Sequence, residues 1–194
     1  FNRSKFHYRM ELRDVRAIPN LAGSRVIVRA GLNVPVEDGR VIDDFRIKRL
    51  LPTLTYLIRE RARVILLGHL GRSPEVSLLP VVDALRKHLP ITYVEDLVGP
   101  RAARAVQEMK EGEIVLLENV RNHGGERSQD LHFAEVLASY ADAYVNEAFS
   151  DSHRPHATIV ELPKLLPSYA GFLFIDEVKH LSQALSPKHQ SLCV

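Results

Sequence analysis

Four arginines, Arg46, Arg72, Arg121 and Arg154, have the chemistry most suited to holding an anion. A guanidinium is a planar fork that donates two parallel, charge-assisted hydrogen bonds to phosphate or carboxylate. Asn33 follows one short apolar run, and His69 and Arg72 follow a second. Arg121 and His123 follow a third, and His153, Arg154 and His156 a fourth, while Arg46 starts an amphipathic stretch. If these segments end on one edge, they deliver guanidinium and imidazole groups to a small ligand carrying a phosphate, a carboxylate or both. Arginines solvated separately on the surface fit the same spacing, because exposed ion pairs are weak. His69, between Gly68 and Leu70, reads equally as a ligand donor or as a backbone-bonded turn residue. His153-Arg154-Pro155-His156 lacks the matched carboxylate and cysteine set of a metal site, so no metal ligand is expected. Asp43-Asp44 reads as a helix cap rather than an acid pair. His7, His88, His132, His180 and His189 read as surface or packing residues.

The elements that must position these residues alternate along the chain. Compact, β-branched runs predict strands over 25–29, 63–67, 91–94, 113–117 and 143–146. Apolar residues at helical spacing predict helices over 45–61, 78–89, 100–109, 129–140 and 171–185. Asp43 or Asp44 is available to cap the first helix, and Pro52 is expected to kink or interrupt it. Asn33, Pro35 and Asp38-Gly39 mark a loop and turn, 118–127 and 150–156 read as loops, and 162–168 is interrupted by proline. Short apolar strands alternating with amphipathic helices imply right-handed crossovers and a mostly parallel sheet covered on both faces. The expected fold is a three-layer α/β/α, Rossmann-like domain. In such sheets ligands gather beyond the carboxyl ends of the strands, which is where the polar residues above fall.

The 194 residues are enough for one sizeable domain, and 45% hydrophobic residues exclude a disordered chain. Lys plus Arg number 26 against 24 Asp plus Glu, a balance that argues against nucleic acid as a partner. Cys193 is the only cysteine, so no internal disulfide or cysteine zinc cluster forms, and a reducing, cytoplasmic location is expected. No apolar run approaches the roughly 20 residues that span a bilayer, and residues 1–10 carry no secretory h-region. A start at Phe1 rather than Met leads us to expect that something precedes it in the gene product or that processing removed it. The nucleotide and nucleophile motifs GxxxxGK(S/T), GxGxxG and GxSxG are all missing, so no ATP site is expected within this chain.

The loops also form an ordered set of motifs. Val28-Arg29-Ala30-Gly31-Leu32-Asn33-Val34-Pro35 is similar to VRVDFNVP, and Asp44-Phe45-Arg46-Ile47 to DxRI. His69-Leu70-Gly71-Arg72 is HLGR unchanged. Leu117-Glu118-Asn119-Val120-Arg121-Asn122-His123 is close to LENxRFH, and Asn146-Glu147-Ala148-Phe149 with His153-Arg154-Pro155-His156 to NDAFxxxHRxH. By these motifs the chain, from about Leu12 to Val194, resembles the N-terminal domain of the phosphoglycerate kinase family. That family moves a phosphoryl group reversibly between 1,3-bisphosphoglycerate and ADP, giving 3-phosphoglycerate and Mg-ATP. The resemblance implies a glycerate site made by Asn33, Arg46, His69, Arg72, Arg121 and Arg154. It makes Arg46 the catalytic residue, stabilising charge on the transferring phosphoryl group, with Gly31, His123, His153 and His156 as supporting positions. It also implies that residues 1–171 form the substrate domain. Residues 172–194 would then be an interdomain helix and the entry to a nucleotide domain absent from this chain, so Mg-ATP or Mg-ADP is not expected to bind here.

Several positions depart from the family pattern. Gly31 stands where the family has an aspartate associated with the substrate hydroxyl, which removes an acceptor and some rigidity. Leu32 and Asn122 replace aromatics, and Glu147 replaces an aspartate. Without nucleotide loops the chain is not expected to complete phosphoryl transfer alone. It reads as an excised domain, a partial gene product or a one-domain relative. The alternative is a catalytically inactive binding, regulatory or partner-docking module, with the helix at 172–185 as the docking face.

Overall fold

A computed structural model describes residues 12–72 and 76–184, so the expectations for residues 1–10, for Cys193 and for 185–194 lie outside the described residues. Strand β1 (Arg25–Ala30) leads to a hairpin of β2 (Val36–Glu37) and β3 (Arg40–Val41). Then come β4 (Arg63–Leu67), β5 (Thr92–Val94), β6 (Ile114–Leu117), β7 (Ala143–Glu147) and β8 (Ser168–Ala170). The six strands other than β2 and β3 form one parallel sheet in the order β5-β6-β4-β1-β7-β8. Helices α1 (Phe45–Arg59), α2 (Leu79–Arg86), α3 (Pro100–Glu108), α4 (Gly124–Arg127), α5 (Leu131–Ala138), α6 (Ala157–Val160), α7 (Leu162–Leu165) and α8 (Phe172–Ala184) complete the described chain.

The apolar strand residues sort by parity onto the two faces of the sheet. Val26, Val28 and Ala30 pack with Leu50, Leu54 and Leu57 of α1 and with Val81, Val82 and Leu85 of α2. Ile27, Ile65 and Leu67 pack with Ala102 and Val106 of α3 and with Phe133 and Leu137 of α5. Each large aliphatic side chain buried this way contributes roughly 1.5–3 kcal/mol, which is why the central strands are apolar on both sides. The result is the three-layer α/β/α, Rossmann-like domain that the sequence pattern implies. Register then sets the height of the site: Arg29 of β1 lies level with Leu67 of β4 and Asn146 of β7. The loops that follow these three strands therefore leave the sheet together.

Local differences from expectation have local causes. α1 runs unbroken through Pro52, because that residue is exposed and forfeits only one bond, to the Lys48 carbonyl on the outer side. The helix is started by Asp43, whose Oδ1 accepts from the Phe45 N–H at 2.9 Å, while Asp44 pairs with Lys48 at 2.9 Å. Asp38 and Gly39 both have positive φ, 48° and 73°, and so close the β2–β3 hairpin where the sequence suggested only a turn. The expected loop at 118–127 instead holds a 3-10 turn at Val120–Asn122 and the single turn α4. Asn119 Oδ1 accepts from the Arg121 N–H and His123 Nδ1 from the Gly125 N–H, and these two caps order the segment. A second 3-10 turn, Phe149–Asp151, replaces the start of the loop expected at 150–156. β8 follows the proline-interrupted stretch as a three-residue strand, paired to β7 and held on its other side by the Arg13 carbonyl at 2.7 Å.

α8 begins on a buried carboxylate. Glu147 Oε2 accepts from the Phe174 N–H at 3.0 Å and Oε1 from the Leu173 N–H at 3.4 Å, and Thr53 Oγ1 donates to Oε1 while accepting from the Phe172 N–H. A methyl group at Gly171 would overlap the Glu147 carboxyl group. Gly171→Ala should therefore destabilise the protein by about 1–3 kcal/mol, the usual cost of overpacking a filled site. Gly124→Ala, where a methyl group meets nothing within 4 Å, is the control and should melt close to the parent in a thermal denaturation.

Candidate functional site

The site is built around a charge inside the central strand. Arg29 has no exposed surface. Its Nε donates to Thr158 Oγ1 at 3.0 Å, its Nη1 to the Ala30 carbonyl at 2.6 Å, and its Nη2 lies 3.2 Å from His69 Nδ1. A guanidinium has no acceptor to offer, so His69 Nδ1 must accept and the ring carries its proton on Nε2. Burial first, then the charges of Arg29 and Arg121, push the His69 pKa down to about 2. His69 is thus a neutral imidazole, and its 3.4 Å approach to Asp151 Oδ2 is a contact rather than an ion pair.

Three loops converge on this pair. Asp151, from the turn after β7, sits 3.6 Å from Arg29 Nη1 and 3.9 Å from Arg154 Nε. Arg121, 7% exposed, donates from Nη1 to the Gly71 carbonyl at 2.6 Å. Burial and then the neighbouring Arg154 charge lower the Arg121 pKa from its ordinary value. Beneath them Glu126, fully buried, accepts from the Thr158 N–H at 2.9 Å and from its hydroxyl at 2.7 Å. The Asp151 and Glu126 carboxylates face Arg29, Arg121, Arg154 and the neutral His69, which leaves this end of the domain short of negative charge.

A second lobe adjoins the first through Ser150. Arg46 Nη1 donates to Ser150 Oγ at 3.3 Å. Gly31, Arg46, Arg49, Phe149 and Ser150 line a cavity of about 340 Å³. Asn33 shares a further cavity with Arg46, and Asn33 Oδ1 accepts from the Gly71 N–H at 2.9 Å, joining the loops after β1 and β4. A side chain at Gly31 would meet only Ser150 Oγ, 3.8 Å from its first carbon, so the position is open to the cavity.

Other expected residues sit differently. Arg72 is exposed and its carbonyl accepts from Arg127 Nη2 at 2.6 Å; among the described residues nothing joins its guanidinium to the Arg29–Arg121–Arg154 group. His123 caps α4 and stacks on Phe133 at 4.3 Å, both structural roles. His153 is exposed, while His156 Nδ1 lies 3.8 Å from Glu126 Oε1 and burial lowers its pKa. Among the described residues no group of three His, Cys, Asp or Glu side chains could hold a metal ion.

The chain matches the phosphoglycerate kinase family model over residues 14–194. The chain belongs to the phosphoglycerate kinase family. Phosphoglycerate kinase of Wolbachia sp. subsp. Drosophila simulans is 44% identical over 175 residues, covering 87% of this chain and 44% of the relative. That of Methylorubrum extorquens is 46% identical over 172 residues, covering 85% and 43%. The structure of phosphoglycerate kinase from Coxiella burnetii superposes with a TM-score of 0.81 at 33% identity, covering 91% of this chain and 46% of that one. The chain therefore spans under half the length of these phosphoglycerate kinases. No helix among the described residues is long and apolar enough to cross a membrane.

Sequence reasoning passed over Arg29, Ser150, Asp151, Thr158 and Glu126. The signal for Arg29 was a charge inside the carboxyl end of a strand whose other inner residues are apolar, because a charge buried in a parallel sheet must be paired. Asp151 gave no comparable signal, since a loop aspartate is ordinarily solvated. The neutral state of His69 has a measurable consequence. The unfolded chain protonates this histidine below about pH 6.5, whereas the folded chain does not until far lower pH. Folding stability should fall as the pH drops below 6.5, with His69 contributing up to about 1.4 kcal/mol per pH unit. Denaturant titrations from pH 7 to 4 should show a shallower pH slope for His69→Gln than for the parent.

Proposed function

We propose that this chain is the 3-phosphoglycerate-binding half of a phosphoglycerate kinase, the enzyme that moves a phosphoryl group between 1,3-bisphosphoglycerate and ADP to give 3-phosphoglycerate and ATP. The observation that carries this reading is the group of partly buried guanidiniums around a neutral His69. A partly buried cluster with excess positive charge gains from a dense anion, and Arg121 and Arg154 supply the charge for the phosphate of the acid. His69, neutral with Nε2–H, orients the acid by hydrogen bonding without adding charge. Arg72 closes over the same ligand from its exposed position, and Asn33 holds the loop beneath. Arg46, in the adjoining lobe, stabilises charge on the phosphoryl group in transit, a reaction that depends on alignment and electrostatics more than on covalent help.

In this reading residues 1–171 are the substrate domain, and the segment from 172 onward leads toward the nucleotide half, where Mg-ADP or Mg-ATP is held. The protein works in the cytoplasm, without nucleic acid or membrane as partner. Gly31 favours a second reading, a binding module that has lost turnover, because it leaves the cavity beside Arg46 without a side chain.

Titration calorimetry of the folded chain with 3-phosphoglycerate should give saturable binding that weakens as salt rises. Arg121→Ala and Arg154→Ala should each weaken it by at least about tenfold, equivalent to about 1.4 kcal/mol. A folded chain that takes up no 3-phosphoglycerate contradicts the proposal. Turnover by the chain joined to a nucleotide-binding half separates the enzyme from the inactive module.

A further inference from the structure

Three successive carbonyls in the loop after β4 accept hydrogen bonds from side chains of one segment, the stretch between β6 and α5. Asn119 Nδ2 donates to the Leu70 carbonyl at 2.8 Å, and Arg121 Nη1 to that of Gly71 at 2.6 Å. Arg127 Nη2 donates to the carbonyl of Arg72 at 2.6 Å. Where the loop returns, the Val76 carbonyl accepts from Asn119 Nδ2 at 2.8 Å and from Asn122 Nδ2 at 3.3 Å. Asn119 is fully buried and Arg121 belongs to the guanidinium cluster, so both have other reasons to be where they are. Arg127 is exposed, and among the described residues its guanidinium makes this one hydrogen bond. Its place is fixed from behind. Glu126, the preceding residue of α4, is fully buried and holds Thr158, whose hydroxyl accepts from Arg29 Nε. A continuous path of bonds therefore runs from the buried Arg29 through Thr158 and α4 to the main chain of the exposed Arg72. Arg127 also lies within electrostatic reach of Arg121, whose pKa its charge helps to lower.

We propose that Arg127 is a positioning residue, which holds the main chain of Arg72 so that the Arg72 guanidinium meets the anion bound by Arg121 and Arg154. This rests on the glycerate-site reading above and adds how the exposed arginine of that site is brought to its ligand. A long side chain on an unfixed backbone must be ordered when the ligand binds, and that ordering weakens binding. A charge-assisted bond to the Arg72 carbonyl removes part of this cost before the anion arrives. Arg127 thus acts through Arg72 and does not itself touch the ligand.

The test is a double-mutant cycle read by titration calorimetry with 3-phosphoglycerate at one ionic strength. It compares the parent chain, Arg127→Met, Arg72→Met and the double variant. Both residues are exposed, so all four proteins should fold. Arg127→Met should weaken binding by about three- to tenfold in the parent, the range of a single hydrogen bond. In the Arg72→Met background the same change should weaken it by less than about 1.5-fold, because nothing is left to position. An equal loss in both backgrounds means that Arg127 acts by its charge alone or by a general loosening of the fold, and overturns the proposal. Parent-like affinity for Arg127→Met, or for Arg72→Met, also overturns it and leaves the glycerate site standing. If the parent binds no 3-phosphoglycerate, the glycerate-site reading fails and this assignment goes with it.

Discussion

A guanidinium with no exposed surface has to find every partner inside the protein, and in this chain that requirement organises the whole carboxyl edge of the sheet. Arg29 draws Thr158 from α6, His69 from the loop after β4 and Asp151 from the turn after β7 onto one point. Thr158 in turn holds Glu126 of α4. Removing one partner of a buried ion pair typically costs about 3–5 kcal/mol, because it strands the other charge, so Arg29 constrains where each of these loops can sit. Segments separated by more than a hundred residues are tied together by one side chain.

That arrangement also sets the electrostatics available for function. Because Arg29 occupies the lone pair of His69 Nδ1, the imidazole is neutral and its remaining proton lies on Nε2. Arg121 and Arg154 are close enough to lower the pKa of their neighbours, and one carboxylate, Asp151, stands among them. Positive charge is thus assembled before any ligand arrives. Preassembly of this kind reduces the reorganisation that a bound anion would otherwise require. Arg46 and Gly31 belong to a neighbouring cavity joined through Ser150, which gives the site two lobes rather than a single basic bowl.

Much of this was legible in the sequence, for physical reasons that differ by element. The β-branched runs at β1, β4 and β6 fit interior strands better than long helices, and the spacing of Ile47, Leu50, Leu54 and Leu57 fits a helix packed against them. Family motifs pointed to Arg121, Arg154 and His69, and the three lie within electrostatic reach of one another. Short polar elements were not legible. The hairpin closed by Asp38 and Gly39, the single turn α4 and the three-residue β8 depend on caps or on a neighbouring strand, which leave little hydrophobic period. Arg29 was hidden in plain view, read as the end of a strand when its burial makes it the hub. Asp151 and Glu126 could not be told from surface acids, because only the fold removes their water.

The account stands or falls on where an anion settles relative to Arg29. A crystal structure of the chain with 3-phosphoglycerate at neutral pH tests this most directly. The ligand should lie against Arg121 and Arg154 with His69 Nε2 toward it, while Arg29 keeps its bonds to Thr158 and Ala30. A ligand seated away from that cluster, or an Arg29 that leaves Thr158 to bind the anion itself, would contradict a preassembled site held by a buried charge.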